Sequence, residues 1–302
     1  METPWFAERA VSAVRPGDHG WLAYNGPEER DRVIGPFVRE GLQTEEKVVY
    51  VTDLPAERLP GLGRGIDVDE CVRSGRLRVV SRRDSCLDTA GAFAPAKMLD
   101  TIEREVGAAF GQGFRAARVT TDYSWLLREP GRADLNRMLG CEHRVDDAVS
   151  PSTMAMAICQ IDRRACPPDQ LIALRDTHEV LVEVNPEFDD GILKIVRTFE
   201  PAGLRIEGEL DAARHTVVAE NLARLVALRG SVHLDLSRLG FIDLGGLNLL
   251  ARHAIRLPAD GSLVLDHLRP NVQSVIETVG WDRLPGLTPG AALGLQETEG
   301  PA

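Results

Sequence analysis

The chain carries none of the short signatures that announce common enzyme chemistries. No G-x-x-x-x-G-K-[ST], H-E-x-x-H or G-x-S-x-G occurs, so phosphate-loop NTPase, zincin and serine-hydrolase readings have no local support. No C-x-x-C links the five cysteines (Cys71, Cys86, Cys141, Cys159, Cys166), and their odd number argues against a closed disulfide framework. Reduced thiols in a cytoplasmic protein are the expectation. No apolar run approaches the roughly 20 residues that span a bilayer. Met1 to Trp5 lacks the basic stretch and apolar core of a secretory signal, so no membrane association is expected. None of the seven histidines has another four residues away, and no metal site is expected. Positive charge is scarce as well: Lys+Arg number 35 against 46 Asp+Glu, a net charge of −11. That balance disfavours direct nucleic-acid binding, which needs a basic surface.

What is present is an ordinary globular composition, 43% hydrophobic and 27% charged over 302 residues, enough for two domains. Gly20-Trp21-Leu22-Ala23-Tyr24 reads as a strand closed by Asn25-Gly26-Pro27. Pro27 with Glu28, Glu29 and Asp31 is good helix-start chemistry, and Val33, Ile34, Phe37, Val38 and Leu42 recur at helical spacing. Pro36 should bend or split this helix. Val48-Val49-Tyr50-Val51-Thr52 then reads as a strand buried on both faces. Strands at 77–81, 118–122 and 154–159 alternate with helices at 94–110, 132–143 and 168–177, which predicts a mainly parallel sheet flanked by helices. The glycines of Gly61-Leu62-Gly63-Arg64-Gly65 follow Pro60 rather than a strand and read as a plain loop.

The acidic, turn-rich stretch from Glu183 to Asp190 marks a boundary, giving domains 1–190 and 191–302. The second has strands at 204–210, 232–236 and 263–265, helices at 214–228 and 245–257, and a last helix from Pro270; its Gly/Ala-rich tail is expected to fray. Phe241-Ile242-Asp243-Leu244-Gly245-Gly246-Leu247 is a strand-to-helix joint in which Asp243 is placed as the N-cap.

Gly208-Glu209-Leu210-Asp211, Asp235-Leu236-Ser237, Phe241-Ile242-Asp243 before Gly246-Leu247, and Val279-Gly280-Trp281 together resemble a STAS domain, the anti-sigma factor antagonist family. The resemblance implies a small α/β domain that docks an anti-sigma factor through Asp243, Leu244, Gly245 and Gly246. In switching members of that family a kinase-type anti-sigma factor phosphorylates a serine in this loop. Leu244 and Gly245 carry no hydroxyl, and Ser237 matches a position usually read as structural.

Asp18-His19-Gly20-Trp21 with Tyr24, Phe37 to Leu42, Val48 to Thr52, Asp122-Tyr123-Ser124-Trp125, and Cys159 to Arg164 with a later His178 resemble the MEDS sensory family. This implies a RecA-like fold used as a sensor, over about residues 10–182. Relatives tend to have Glu where Asp122 stands. On that resemblance the candidate ligand-binding residues are His19, Tyr24, Asp122, Trp125 and Glu142. His19 is read either as a ligand contact or as a hydrogen bonder fixing its loop; preceding a strand, it would lie opposite the carboxyl ends where α/β sheets bind ligands. Trp125 is read as core or lid, or as a ligand platform, and Glu142 as a buried partner for Arg144 or another cation. The expectation is a non-catalytic signalling regulator whose sensory domain governs a module binding an anti-sigma factor or similar protein. The alternatives are a nucleotide-binding or hydrolysing RecA-like enzyme and a STAS-mediated structural scaffold.

Overall fold

A computed structural model describes residues 6–62, 65–128, 135–226, 230–258 and 261–292. Gly63 and Arg64 of the glycine-rich loop, the expected helix start at 132–134, the helix end at 227–228 and the tail beyond 292 lie outside the described residues. The chain divides into two compact units, Met1–Asn185 and Pro186–Ala302.

The first unit is built on strands β1 (Ala7–Ala10), β2 (His19–Tyr24), β3 (Lys47–Val51), β4 (Leu77–Val80), β5 (Ala117–Asp122), β6 (Ala155–Asp162) and β7 (Val180–Glu183). They form one sheet in the order β1-β7-β2-β6-β5-β3-β4, every pairing parallel. This is the open parallel α/β architecture expected, with β1 and β7 added at one edge. Every residue of β3 and β6 is buried, which is why both read as near-continuous apolar runs.

The helices of this unit are α1 (Pro27–Gln43), α2 (Val68–Arg73), α3 (Arg82–Ser85), α4 (Pro95–Gly111), α5 (Ser124–Arg128), α6 (Leu135–Ala148) and α7 (Pro168–Arg175). Alternation along the strands divides them between two faces. Val49, Val51, Val119, Trp21, Cys159 and Ile161 join Met98, Leu99 and Ile102 of α4 and Met138, Cys141 and Val145 of α6 in one core. On the opposite face, α1 lies so close that a Cβ on its Gly41 would stand 2.7 Å from Val48 and 2.8 Å from Arg118. Helix α1 runs through Pro36 without a break. Pro36 forfeits one backbone hydrogen bond, but Val33, Ile34, Phe37 and Val38 around it are fully buried and hold the helix in place. Gly61 packs onto the same helix in a left-handed conformation (φ +87°), and a Cβ there would meet the Gly35 carbonyl oxygen. Gly61 is thus spent on close packing rather than on holding a phosphate.

The second unit carries β8 (Phe188–Asp189), β9 (Leu193–Phe199), β10 (Ala202–Leu210), β11 (Ser231–Asp235), β12 (Leu239–Ile242), β13 (Ser262–Asp266) and β14 (Leu287–Pro289), with helices α8 (His215–Val226), α9 (Leu244–Ile255) and α10 (Pro270–Thr278). Its sheet runs β14-β13-β11-β10-β9-β8, and β12 also pairs with β10. The hairpin β9–β10 is antiparallel and the remaining pairs of β10, β11 and β13 are parallel, a mixed sheet. Strand β8 pairs with β9, so Phe188 and Asp189 belong to this unit, and the division placed after Asp190 falls within its first hairpin.

Candidate functional site

The five residues proposed as ligand contacts do not converge on one place. Tyr24, Asp122 and Ser124 meet at the carboxyl ends of β2 and β5. The Tyr24 hydroxyl donates to Asp122 Oδ2 at 2.8 Å, and the Ser124 hydroxyl and N–H both donate to Asp122 Oδ1. Ser124 Oγ in turn accepts the Asp162 N–H at 2.7 Å, tying in the end of β6. Burial first, and then the Asp122 charge, push the Tyr24 phenol upward, so it stays a hydrogen-bond donor at neutral pH. Burial would raise the Asp162 carboxyl too, but hydrogen bonds from Arg164 outweigh it and hold that carboxyl below its ordinary range. Trp125 stands next to this network, half-buried against the core, with the Arg82 guanidinium 4.8 Å over its ring. One aromatic face is therefore already occupied by a cation. A cavity of about 520 Å3 opens beside this edge, lined by Thr52, Asp53, Ser81 and Asp84 and not by Tyr24, Asp122 or Trp125.

His19 and Glu142 lie elsewhere, on the face of the sheet covered by α6. Helix α6 buries Met138, Cys141, Val145 and Ala148 at helical spacing, and Glu142 sits inside that stripe, 1% exposed. Its partners are His19 and His178, not Arg144. Glu142 Oε2 lies 3.2 Å from His19 Nε2, 3.3 Å from His178 Nε2 and 3.2 Å from the Cys159 thiol, which donates to it. His19 Nε2 is also 3.3 Å from Cys159 Sγ. Strand alternation explains the meeting: His19 opens β2, and Cys159 lies opposite Trp21 in β6, so both project from the same face. His178 stands just before β7, with its ring centroid 4.2 Å from that of His19.

Each imidazole is anchored by its other nitrogen. His19 Nδ1 bonds to Asp146 at 2.8 Å, one helical turn beyond Glu142, and His178 Nδ1 lies 2.9 Å from the Leu174 carbonyl oxygen. Burial alone would strip His19 of its proton, but Asp146 and Glu142 outweigh it and raise its pKa to about 9. Burial, and then the His19 charge, lower His178, which is neutral. The Glu142 carboxyl is held far below its ordinary range by the two imidazoles, against burial. Burial and the Glu142 charge raise the Cys159 thiol well above its usual value. Two polar atoms in this cluster, His178 Nε2 and Glu142 Oε1, are buried with no aligned hydrogen-bond partner, as is the neighbouring Tyr123 hydroxyl. Among the described residues this is the one place where three or more potential metal donors converge. Cys159 and His178 were visible in sequence only as members of the MEDS-like blocks; the stronger signal was a glutamate on the apolar stripe of a helix.

In the second unit, Asp243 caps α9 as expected, its carboxylate accepting the Gly246 N–H at 2.6 Å. His215 of α8 bonds the same oxygen, Oδ1, at 2.8 Å. These bonds, the amide of Gly246 before the imidazole, hold the Asp243 carboxyl below its ordinary range. Leu244, the first residue of α9 after this cap, is 63% exposed, and Phe241, three residues earlier, is 51% exposed. Gly245 is exposed as well, but a Cβ on it would meet the His215 ring at 2.5 Å.

The model of the MEDS family (methanogen/methylotroph, DcmR sensory domain) matches residues 18–179, more than half of the chain. The chain belongs to the MEDS family. In this MEDS protein a STAS domain follows, matched over residues 193–289 by a STAS model of the Mlab type. The two together describe a signalling regulator. No curated protein matches the chain. Among solved structures, an anti-sigma factor antagonist from Mycobacterium paratuberculosis is similar to it at 21% identity, covering 35% of this chain and 84% of that one with a TM-score of 0.28. The flagellar accessory protein FlaH from Methanocaldococcus jannaschii aligns at 11% identity over 65% of this chain and 86% of its own, TM-score 0.40. A KaiC-like protein from Pyrococcus horikoshii aligns at 15% identity over 60% and 78%, TM-score 0.39. No helix among the described residues is long and apolar enough to cross a membrane.

Proposed function

We propose that this MEDS–STAS protein is a non-catalytic cytoplasmic regulator in which the first unit receives a small-molecule signal. The second unit docks an anti-sigma factor or similar regulatory protein through Asp243, Leu244, Gly245 and Gly246. The observation that carries the reading is Leu244. It is an apolar side chain left 63% exposed at the first position of a helix whose cap is fixed by two hydrogen bonds. Phe241, three residues before it, borders a cavity of about 150 Å3 lined also by Ile242, Leu268 and Val272. Covering Leu244 in a partner contributes about 1–2 kcal/mol, and a preorganised loop loses little entropy on docking.

Leu244 and Gly245 offer no hydroxyl, so phosphorylation cannot add its charge of about −2 to this surface. Control would then come from the first unit or from protein abundance. The net charge of −11 supports a protein partner over nucleic acid. The test is binding of the full chain to an ATPase-type anti-sigma factor, measured by calorimetry. Leu244→Asp should weaken binding at least tenfold, because the contact is lost and a carboxylate must be desolvated. Unchanged affinity would remove the loop from the interface.

A further inference from the structure

We propose that His19, Glu142, Cys159 and His178 form a binding site for one divalent transition-metal ion of the zinc class. Four elements distant in sequence supply the donors: the start of β2, the middle of α6, the middle of β6 and the turn before β7. All four residues are buried, and their donor atoms lie within 4.8 Å of one another.

Size is the first argument. A tetrahedral ion with bonds of about 2.0–2.3 Å places its donors about 3.3–3.7 Å apart. Four of the six separations here are 3.2, 3.2, 3.3 and 3.3 Å, and the other two, from His178 to His19 and to Cys159, lie within 4.8 Å, so the donors reach an ion by shifts of at most about an ångström. Orientation is the second. Metal-bound histidines usually give their outer N–H to a carboxylate or a backbone carbonyl, which turns the other nitrogen toward the ion. His19 does this with Asp146 and His178 with the Leu174 carbonyl, and both Nε2 atoms point inward. Unused bonding capacity is the third. His178 Nε2 and Glu142 Oε1 are buried without an aligned partner, and a buried polar group in that state needs an explanation; an ion bound between them supplies one.

The donor set also selects the ion. Two imidazoles, a thiolate and a carboxylate suit a borderline-soft ion, whereas calcium and magnesium take shells of oxygen. Binding would release the extra proton of His19 and the thiol proton of Cys159; one thiolate and one carboxylate then balance a 2+ charge, so the four donors and the ion are neutral together and can remain buried. Four protein donors fill a tetrahedral shell and leave no position for a substrate. The site would therefore act as a clasp joining α6 to β2, β6 and the approach to β7. It does not depend on what the STAS unit binds.

The experiment uses the full chain, purified under reducing conditions without chelator. Elemental analysis should find about one zinc-class ion per chain. After chelation, titration with Co2+ should saturate at one equivalent, giving the intense visible bands of tetrahedral cobalt and a thiolate-to-cobalt charge-transfer band. The ion at about 100 times its dissociation constant should raise the melting temperature of the first unit by roughly 5–10 °C. Cys159→Ser should abolish the charge-transfer band, and His178→Gln should weaken binding by more than tenfold. His143→Gln, an exposed histidine on the solvent side of α6, should change neither. A wild-type chain that is folded by circular dichroism yet metal-free and spectrally silent with excess Co2+ would overturn the proposal, without reference to any variant. So would cobalt bands that survive Cys159→Ser intact, which would assign the binding to surface residues.

Discussion

The buried cluster of the first unit and the Asp243–Gly246 loop of the second both rest on a histidine bonded to an aspartate, but each spends that pair differently. The His19 imidazole is buried between Glu142, also buried, and the half-exposed Asp146, in a place where an unpaired charge would be very costly. His215 holds Asp243 at the surface, where solvent screens both and the bond serves to fix a helix cap. In the first case the pair is a condition for folding around polar groups. In the second it positions a neighbour, Leu244, that contributes little to folding and much to what can dock. Burial should therefore decide which changes are felt as lost stability and which as lost binding.

Glu142→Ala is the harshest way to break the comparison. It leaves Asp146 as the one carboxylate bonded to His19 and removes the group on which His178 and Cys159 converge. Removing one partner from a buried charged network costs about 3–5 kcal/mol. Urea unfolding of the full chain should show the first unit's transition shifted by that amount, with the second unit's transition unmoved. A loss below about 1 kcal/mol would mean that the cluster is not a tightly coupled buried network. Asp243→Ala should cost the second unit much less, about 1 kcal/mol, the usual worth of an N-cap. The same urea titration reports it, and a loss above about 3 kcal/mol would show that the cap is part of the core rather than a surface device.

The two sites also differ in how much of them could be read in advance. Asp243-Leu244-Gly245-Gly246 is a local pattern: a carboxylate three residues before the amide it accepts, at the end of a strand, is recognisable without any tertiary contact. The alternation of strands and helices is local in the same way, and the parallel sheet followed from it. The metal-donor cluster is not local. His19, Glu142, Cys159 and His178 share no helical or C-x-x-C spacing, and they meet only because strand order places β2 between β6 and β7. Of the two partners read for a buried Glu142, Arg144 or another cation, the second holds: residues two apart on a helix do not face each other, and the cation is His19, brought in from β2. Of the two outcomes expected at Pro36, a bend or a split, the split does not occur, because burial on either side of the proline holds α1 together. Strand β9 is absent from the reading although Ile195, Val196, Thr198 and Phe199 favour a strand, because it follows directly on the acidic turn taken as the domain boundary.

The finest test is to install a hydroxyl in the loop at each of its two central positions. Leu244 is exposed at the first turn of α9, so Leu244→Ser removes surface that is already in water and should change the second unit's stability by less than about 0.5 kcal/mol. Gly245 looks equally free by exposure, but its Cβ would fall 2.5 Å from the His215 ring. Gly245→Ser must therefore push that ring away from Asp243, giving up a bond that helps hold the cap, for a loss of about 1 kcal/mol. Differential scanning calorimetry of the full-length variants would show the second unit's transition lowered by a few degrees for Gly245→Ser and unmoved for Leu244→Ser. The double variant Gly245→Ser, His215→Ala removes the clash, so adding serine to a His215→Ala background should cost less than adding it to the wild type. Equal costs in the two backgrounds would show that His215 does not set the tolerance of the loop. If a kinase-type anti-sigma factor docks here, phosphate should appear on Leu244→Ser and not on the wild-type chain. Phosphate found instead on wild-type Ser237, with loss of partner binding, would show that the switch had moved rather than gone silent.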